Sequence, residues 1–482
     1  MKAGYHALRK GIQWLFVCQQ RHWAVWLAAA SLMVTVPASA KQAPSASAAD
    51  WTVMVFMNAK NNLECFGLQN FAQMAEVGST DKVDMLVEFG RPRHHQSCPN
   101  SSERWSGLRR YRVTPGMKPT TAESIPGFRP LNGSNADMGN EKTLSDFIAW
   151  STKTYPAKHF MLVIWNHGQG WRLQLTRTVN VRLGTGLAET ATLTDTRPQI
   201  TGGFRSVSFD DDSGHHLFNS DITQALQENF TQPIDVLGFD ACLMSMIETG
   251  YQMKGVARHL IGSEELEPGS GWNYTTLLNS LHGTDPTVDS IAKDLEATYQ
   301  KENAQQPATL SMVNLDAMDG LAKAVSEWAE VLTKALQNDA TRVRERDALS
   351  KARADCKPYG KWFDASDPAL QTSVDLHRLA ALDAANSTDP AVQTAAEKIV
   401  GLIESSTLVG SRYASQNSND DFGYGSWGIA IYFPTTLADF KADRQNSSGY
   451  IVGNTDHPVL FVDKEKWAGF LQAYYSAQNN VE

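Results

Sequence analysis

The sequence predicts an α/β protein built on a mostly parallel sheet, with helices on both faces and a largely helical C-terminal region. Three observations carry that expectation. Short apolar runs such as "FMLVIW", Phe160 to Trp165, are continuous rather than alternating, as in strands buried on both faces. These runs alternate with stretches of helical period, which implies right-handed crossovers between parallel strands. From about Asp316 the text changes to long Ala-rich amphipathic segments. The chain has 482 residues, 42% apolar and 20% charged, with a net charge of -9. That is enough for a sizeable core, and it carries no basic excess of the kind that nucleic-acid binding requires.

The N-terminus reads as an export signal rather than as part of the fold. Lys2, Arg9, Lys10 and Arg21 form a basic leader, and Trp23 to Val36 is uncharged and mostly apolar. "PASA", Pro37 to Ala40, puts small residues where a signal peptidase reads, so cleavage is expected after Ala40. Residues 41–50, "KQAPSASAAD", read as a low-complexity tether. The expected location is therefore secreted or periplasmic, with no membrane association beyond the export signal. Cys18 leaves with the leader, and Cys65, Cys98, Cys242 and Cys356 remain in a compartment where disulfides form.

"WTVMVFM", Trp51 to Met57, predicts the first strand, and Asn61 to Val77 a helix. "VDMLVEF", Val83 to Phe89, predicts the second strand. Arg91 to Gly139 is rich in Pro, Gly and Ser and reads as an insertion over one sheet edge. Leu144, Phe147 and Ile148 mark a helix that Pro156 stops, and Phe160 to Trp165 follows as a strand. Between Trp171 and Gly203 the text is polar and Thr-rich, with Arg172, Arg177, Arg182, Arg197 and Arg205 in or beside it, and reads as a surface loop. "FNSDITQALQENF" predicts a helix capped by Asn219 or Ser220. "IDVLGFDAC", Ile234 to Cys242, is another buried strand, and "LMSMIETGYQM" a helix starting at once. "HLIGSEE" and "LSMVNL" read as strands on either side of a helix over Val288 to Gln300. Amphipathic helices run to Leu408, "GIAIYFP" (Gly428 to Pro434) either returns to the sheet or builds a small one, and Lys464 to Ala477 closes the chain as a helix.

In a parallel sheet, ligands gather beyond the carboxyl ends of the strands. Two strand ends here carry reactive side chains, His167 and Cys242, 75 residues apart in sequence. Read as a helix N-terminal residue, Cys242 would have its thiolate favoured by backbone N–H groups and the helix dipole. An imidazole beside it could move protons. The N–H groups of Gly168 and Cys242 could receive an oxyanion. Taken singly, each residue has an ordinary reading: a surface histidine, a packed thiol, a turn glycine. Their joint occurrence at two strand ends favours nucleophilic chemistry over a metal site, for which no third and fourth ligand stand at suitable spacing.

"WNHGQGW" and "GFDACLMSMIE" resemble the histidine and cysteine blocks of the clostripain family, cysteine peptidases of the caspase–gingipain–legumain clan. "WTVMVFMNAKNNLE", "IGSEELEPGSGWNY", "SVDLHRLA" and "GIAIYFP" resemble further blocks in the same order. The resemblance implies a caspase-like peptidase domain over residues 51–315, followed by a mainly helical region over 316–482. It implies Cys242 as nucleophile, His167 as general acid/base, and an acyl-enzyme thioester. It also implies that Asp240 helps line a pocket for Arg or Lys before the scissile bond. Protein or peptide substrates would be the partners; no oligomeric state is implied.

The chain departs from the family where Ser270 stands in place of a frequent acidic residue. Glu264, Glu265 or Glu267 could compensate. It departs again at Lys60, where the family commonly has Asp. No cofactor is required on this reading. Calcium, on which some members depend, would have "FDDDSG", with Asp210, Asp211 and Asp212, as its candidate site. Members are often cut between the two blocks, which the arginines of 172–205 would suit. With Cys242 kept free, Cys65 and Cys98 lie beyond strands one and two on one sheet edge, so a Cys65–Cys98 bridge is expected, with Cys356 left over. The rival readings are a transpeptidase of the same chemistry and a non-catalytic binding protein on the same scaffold.

Overall fold

The computed structural model describes residues 48–479 except 100, 102, 132, 134–135, 172–179, 182–190, 193–206, 361–371, 416–424, 446–449, 451 and 454–457. The expected leader, its cleavage site at Ala40 and most of the tether lie outside the described residues, as do all five arginines of 172–205. From Ala48 onward the chain forms one compact unit.

Its centre is an eight-stranded sheet in the order β13-β11-β10-β9-β4-β1-β2-β3. The inner five strands pair in parallel: β10 (Ala257–Gly262), β9 (Ile234–Asp240), β4 (Ala157–Trp165), β1 (Ala49–Asn58) and β2 (Val83–Arg91). Antiparallel strands finish both edges: β3 (Gly107–Arg112) on β2, and β11 (Thr309–Asn314) followed by β13 (Val409–Ala414) on β10. Alternation along β1 shows how helices cover both faces. Met54 and Phe56 point into one core, with Leu144 and Phe147 of helix α2 (Glu141–Thr154) and Ile222 of α3 (Asn219–Asn229). Val53, Val55 and Met57 point into the other, with Phe71 and Met74 of α1 (Glu64–Val77) and Leu277, Leu278, Ile291 and Leu295 from α5 (Tyr274–Leu281) and α6 (Val288–Asn303). Burying these side chains contributes on the order of 1.5–3 kcal/mol apiece, offset by conformational entropy.

The chain leaves β1 for β2 on one side and returns to β4 on the other. The reversal opens a crevice at the carboxyl ends of β1 and β4, where open α/β sheets bind ligands.

Several expectations need correction. The first strand begins at Ala49, so the tether is shorter than 41–50. The Arg91–Gly139 insertion contains β3, concealed by its sequence "GLRRYR". Two of its three arginines pair with carboxylates, Arg110 with Glu88 and Asp146 and Arg112 with Asp84, while Arg109 lies over the Trp105 ring at 5.3 Å. The helix after Cys242 does not start at once; α4 spans Ile247–Met253. Residues 243–245 instead bond to the extended segment beyond β10, with Leu243 N–H donating to the Glu265 carbonyl (3.1 Å) and Ser245 N–H to the Ser263 carbonyl (2.9 Å). Those tertiary bonds override the helical propensity of "LMSMIE". Helix α3 is held at its start by Asp221, which accepts the Phe218 N–H (2.9 Å), rather than by Asn219 or Ser220. Of the two options for "GIAIYFP" the structure takes the second: β14 (Ala430–Tyr432) pairs with β12 (Ser373–Asp375) in a separate two-stranded sheet. The edge strand β13, "VGSRYA", is short and half exposed, and its pattern carries no strand period.

The C-terminal helices pack as an added layer, chiefly α7 (Met318–Gln337), α9 (Leu376–Asn386) and α10 (Pro390–Glu404), with Trp328 and Trp467 stacked at 5.2 Å. Cys65 and Cys98 form a disulfide that spans 33 residues and ties the loop after β2 to α1. Closing a loop of that length restricts the unfolded chain by on the order of 3–4 kcal/mol. The double variant Cys65→Ser/Cys98→Ser is expected to lose about 2–4 kcal/mol of stability in non-reducing urea titrations. A loss below about 0.5 kcal/mol would show that the bridge constrains nothing the packing does not already hold.

Candidate active site

The register of β4 against β9 builds the site. Trp165 lies opposite Asp240, the last pair of that ladder. His167 and Cys242 each stand two residues further on, on neighbouring parallel strands about 5 Å apart. The structure therefore places the two predicted residues side by side beyond the carboxyl edge. Gly168 closes the gap: a Cβ there would lie 2.5 Å from the Cys242 carbonyl and 3.0 Å from the Ala241 Cβ. No other residue lets the two backbones approach so closely. A short antiparallel bridge to Val207 in β7 (Val207–Asp210) then holds the histidine turn, with Ser208 N–H donating to the His167 carbonyl (3.4 Å).

Backbone strain concentrates here. Leu243 (φ 61°) and Ser208 (φ 61°) are the two non-glycine residues with positive φ among the described residues. One follows the thiol and the other bonds the histidine's carbonyl. Such conformations cost on the order of 1–3 kcal/mol each and persist where surrounding structure over-determines them. Leu243 is pinned through its N–H to Glu265. Ser208 accepts from Asn58 Nδ2 (3.1 Å) and donates to the Met138 carbonyl (3.1 Å).

Cys242 is free and buried, with 8% exposure. Its Sγ accepts the Glu267 N–H at 3.2 Å. Since α4 begins at Ile247, the expected helix dipole is not at the sulfur. Burial, reinforced by the Glu267 carboxyl, pushes the thiol up to about 12, so at rest it is protonated. Burial pushes His167 down to about 4, so the imidazole is neutral. Its Nε2 lies 2.7 Å from the Asn62 Oδ1.

Asp240 is buried rather than open to the cleft, with 4% exposure. It accepts from Trp272 N–H (3.2 Å) and Tyr274 Oη (2.9 Å). Gly271 (φ 61°) carries the chain past it, where a Cβ would meet Asp240 Oδ1 at 2.5 Å. Glu267 shares a hydrogen bond with Asp240, and its Oε1 accepts from the Trp272 indole at 3.3 Å. Burial raises both carboxyls, Asp240 to about 6, so the pair holds a proton between them. Glu267 is half-buried as a residue, but its Oε2 is buried like Asp240. Ser270, at the divergent position, presents its backbone carbonyl to Asn70 Nδ2 (2.9 Å).

Lys60 lies on the opposite bank. Its buried ammonium donates to the Ala136 carbonyl (2.5 Å) and Asp210 (2.7 Å), with Asp212 at 3.6 Å. The acidic turn of Asp210, Asp211 and Asp212 thus has a side-chain cation between two of its three carboxylates. Among the described residues, no group of three or more His, Cys, Asp or Glu is placed to hold a metal ion.

A buried thiol and a neutral imidazole on adjacent strand ends, above a carboxyl pair, are the chemical parts of a cysteine peptidase on a caspase-like sheet. A profile of the clostripain family matches residues 55–184 and 194–473. The chain belongs to the clostripain family of cysteine peptidases. Clostripain of Hathewaya histolytica is 24% identical over 284 residues, 55% of this chain and 48% of that protein; this chain spans about half the length of that curated relative. Two solved structures share the fold. A secreted C11 cysteine protease from Bacteroides thetaiotaomicron, in complex with an irreversible peptide inhibitor, has a TM-score of 0.51 at 16% identity, over 88% of this chain and 99% of that one. An inactive zymogen C11 protease from Parabacteroides distasonis has a TM-score of 0.53 at 17% identity, over 84% and 97%.

The close approach at Gly168 yields a direct test. Gly168→Ala is expected to lower kcat about 100-fold by displacing the Cys242 turn, with a shift in Tm of only a few degrees. An alanine variant with unaltered kcat would refute the tight apposition of the two strand ends.

Proposed function

We propose that the protein is an exported cysteine endopeptidase that cleaves peptide bonds after Arg or Lys, with Cys242 as nucleophile and His167 as general acid/base. The observation that carries this reading is the matched displacement of the two side chains beyond the Trp165–Asp240 pair, with Gly168 against the Cys242 carbonyl. On this reading Sγ attacks the scissile carbonyl as its proton passes to His167. The C–N bond breaks as His167 returns that proton to the leaving amine. Water, deprotonated by His167, then hydrolyses the thioester. The Gly168 and Cys242 N–H groups are the proposed oxyanion donors.

The preference for a cation rests on the Asp240–Glu267 pair. Two like-charged carboxyls so close cannot both ionise easily in a buried site. A guanidinium or ammonium of the substrate would release the shared proton and satisfy both. Glu267 thereby takes the part that the side chain at Ser270 does not supply.

Export fits the Cys65–Cys98 bridge, which belongs to an oxidising compartment. No helix among the described residues is long and apolar enough to cross a membrane. The Lys60 ammonium at Asp210 and Asp212 supports a cleft that works without calcium at that turn.

A lysine- or arginine-based thiol-reactive probe is expected to label the wild-type protein stoichiometrically and to leave Cys242→Ala unlabelled. Labelling that persists in the alanine variant would remove Cys242 from its role. The carboxyl pair adds a pH signature. A protonated pair cannot receive a cation, so KM for a lysyl or arginyl substrate is expected to rise as pH falls through about 6. With a substrate bearing a neutral residue at that position, KM should stay flat across the same range. Parallel KM profiles for the two substrates would sink the pocket assignment.

A further inference from the structure

The third strand of the crevice also sends a side chain to the histidine. In sheet order β9, β4 and β1 are neighbours, and Asp240, Trp165 and Met57 lie abreast across them. Beyond these ends come Cys242, His167 and, in the turn between β1 and α1, Asn62. We propose that Asn62 is a positioning residue whose amide oxygen fixes the tautomer and orientation of His167, completing a Cys242–His167–Asn62 triad; this rests on the dyad proposed above.

The argument starts from hydrogen-bonding capacity. The Asn62 Oδ1, 2.7 Å from Nε2, is an acceptor only. The neutral ring must therefore carry its proton on Nε2, which leaves the lone pair on Nδ1 as the position able to take the proton of Cys242. An imidazole held by a partner that cannot donate has one productive tautomer instead of two. The edge-on contact with Phe209, 6.1 Å between ring centroids, limits the remaining freedom of the ring.

The partner's charge matters as much as its geometry. A carboxylate at this position would favour imidazolium and raise the pKa of His167. An amide orients the ring and leaves it neutral. Among the described residues, burial is the cause of the depressed His167 pKa, with no carboxylate opposing it. The same three groups recur in papain-like proteases on an unrelated fold.

The turn that carries Asn62 is anchored on both sides, as a positioning role requires. Asn61 donates to the Phe209 carbonyl (2.8 Å) and accepts the Leu63 N–H (2.9 Å). Lys60 is held by Asp210. Glu64 is buried and receives Arg91 (2.8 Å), His95 (2.6 Å) and the Gln96 N–H (2.8 Å), and Cys65 is bridged to Cys98. Asn62, half-buried, is the residue of this turn left facing the cleft histidine.

The experiment uses the full-length protein and three variants, Asn62→Leu, Asn62→Asp and Cys242→Ala, with a lysyl or arginyl amide substrate. Asn62→Leu keeps the volume but not the acceptor. It is expected to lower kcat about 10- to 100-fold with KM within about threefold. Asn62→Asp restores the acceptor and adds a charge, so kcat should recover at least in part while its acid limb moves up by about one pH unit or more. The resting tautomer is read separately by NMR of protein carrying ¹⁵N-labelled histidine, with His167→Gln identifying the resonance. The wild type should show the Nε2-protonated form, and Asn62→Leu a mixture. An unchanged kcat in Asn62→Leu, an unmoved acid limb in Asn62→Asp, or an Nδ1-protonated wild-type ring would each overturn the proposal. Should the wild type lack any activity that Cys242→Ala abolishes, the dyad reading fails on its own, and the tautomer measurement still decides whether Asn62 holds the ring.

Discussion

The ladder between β4 and β9 is the constraint on which the site depends. Side-chain direction alternates along a strand, so a slip of one residue would turn His167 away from Cys242 and move every core residue of β4 to the wrong face. The pairing of Trp165 with Asp240 is therefore held by the whole hydrophobic pattern of Met161 to Trp165 against Val236 to Asp240. The placement of the candidate residues and the packing of the core are the same constraint. Gly168, where a Cβ would lie 2.5 Å from the Cys242 carbonyl, is the place where the two meet.

How much of this was legible in sequence depended on whether a local pattern survived tertiary context. Continuous apolar runs betrayed β1, β2, β4 and β9 because parallel central strands bury both faces. The strand ends followed, and with them the adjacency of His167 and Cys242 as candidate residues. Strand β3 was hidden because two of its arginines answer carboxylates 22 to 36 residues away, which no local pattern records. The start of α4 was misjudged for a related reason. "LMSMIE" has helical propensity, but its N–H groups are claimed by the carbonyls of Ser263 and Glu265. That error carried a wrong inference with it, a helix dipole at the sulfur. Asn62 left no trace at all, since its meaning lies in a contact spanning 105 residues.

The two departures from the family's motifs also gain a physical account. At Lys60 an ammonium replaces a carboxylate, and the structure surrounds it with Asp210, Asp212 and a carbonyl. A buried cation in that company is neutralised, whereas an aspartate there would add a further negative charge to an acidic turn. At Ser270 the missing acid coincides with Glu267, three residues earlier, turned toward Asp240. The first change neutralises an acidic turn, and the second leaves a carboxyl three residues from where the family has one.

The resting electrostatics of the site bear on how specificity could arise. A thiol raised to about 12 beside an imidazole lowered to about 4 is far from an ion pair. Such a site is inert toward adventitious electrophiles, because the thiolate is the nucleophile and little of it exists. Glu267 contributes to that inertness through its charge and, through its backbone N–H, holds Sγ in place. A substrate cation that takes the place of the proton shared by Asp240 and Glu267 would leave both effects intact. Recognition of the cation and placement of the nucleophile would then meet in a single residue. Discrimination between cationic and neutral side chains would appear in the chemical step as well as in binding wherever seating the cation also positions the scissile carbonyl against Sγ.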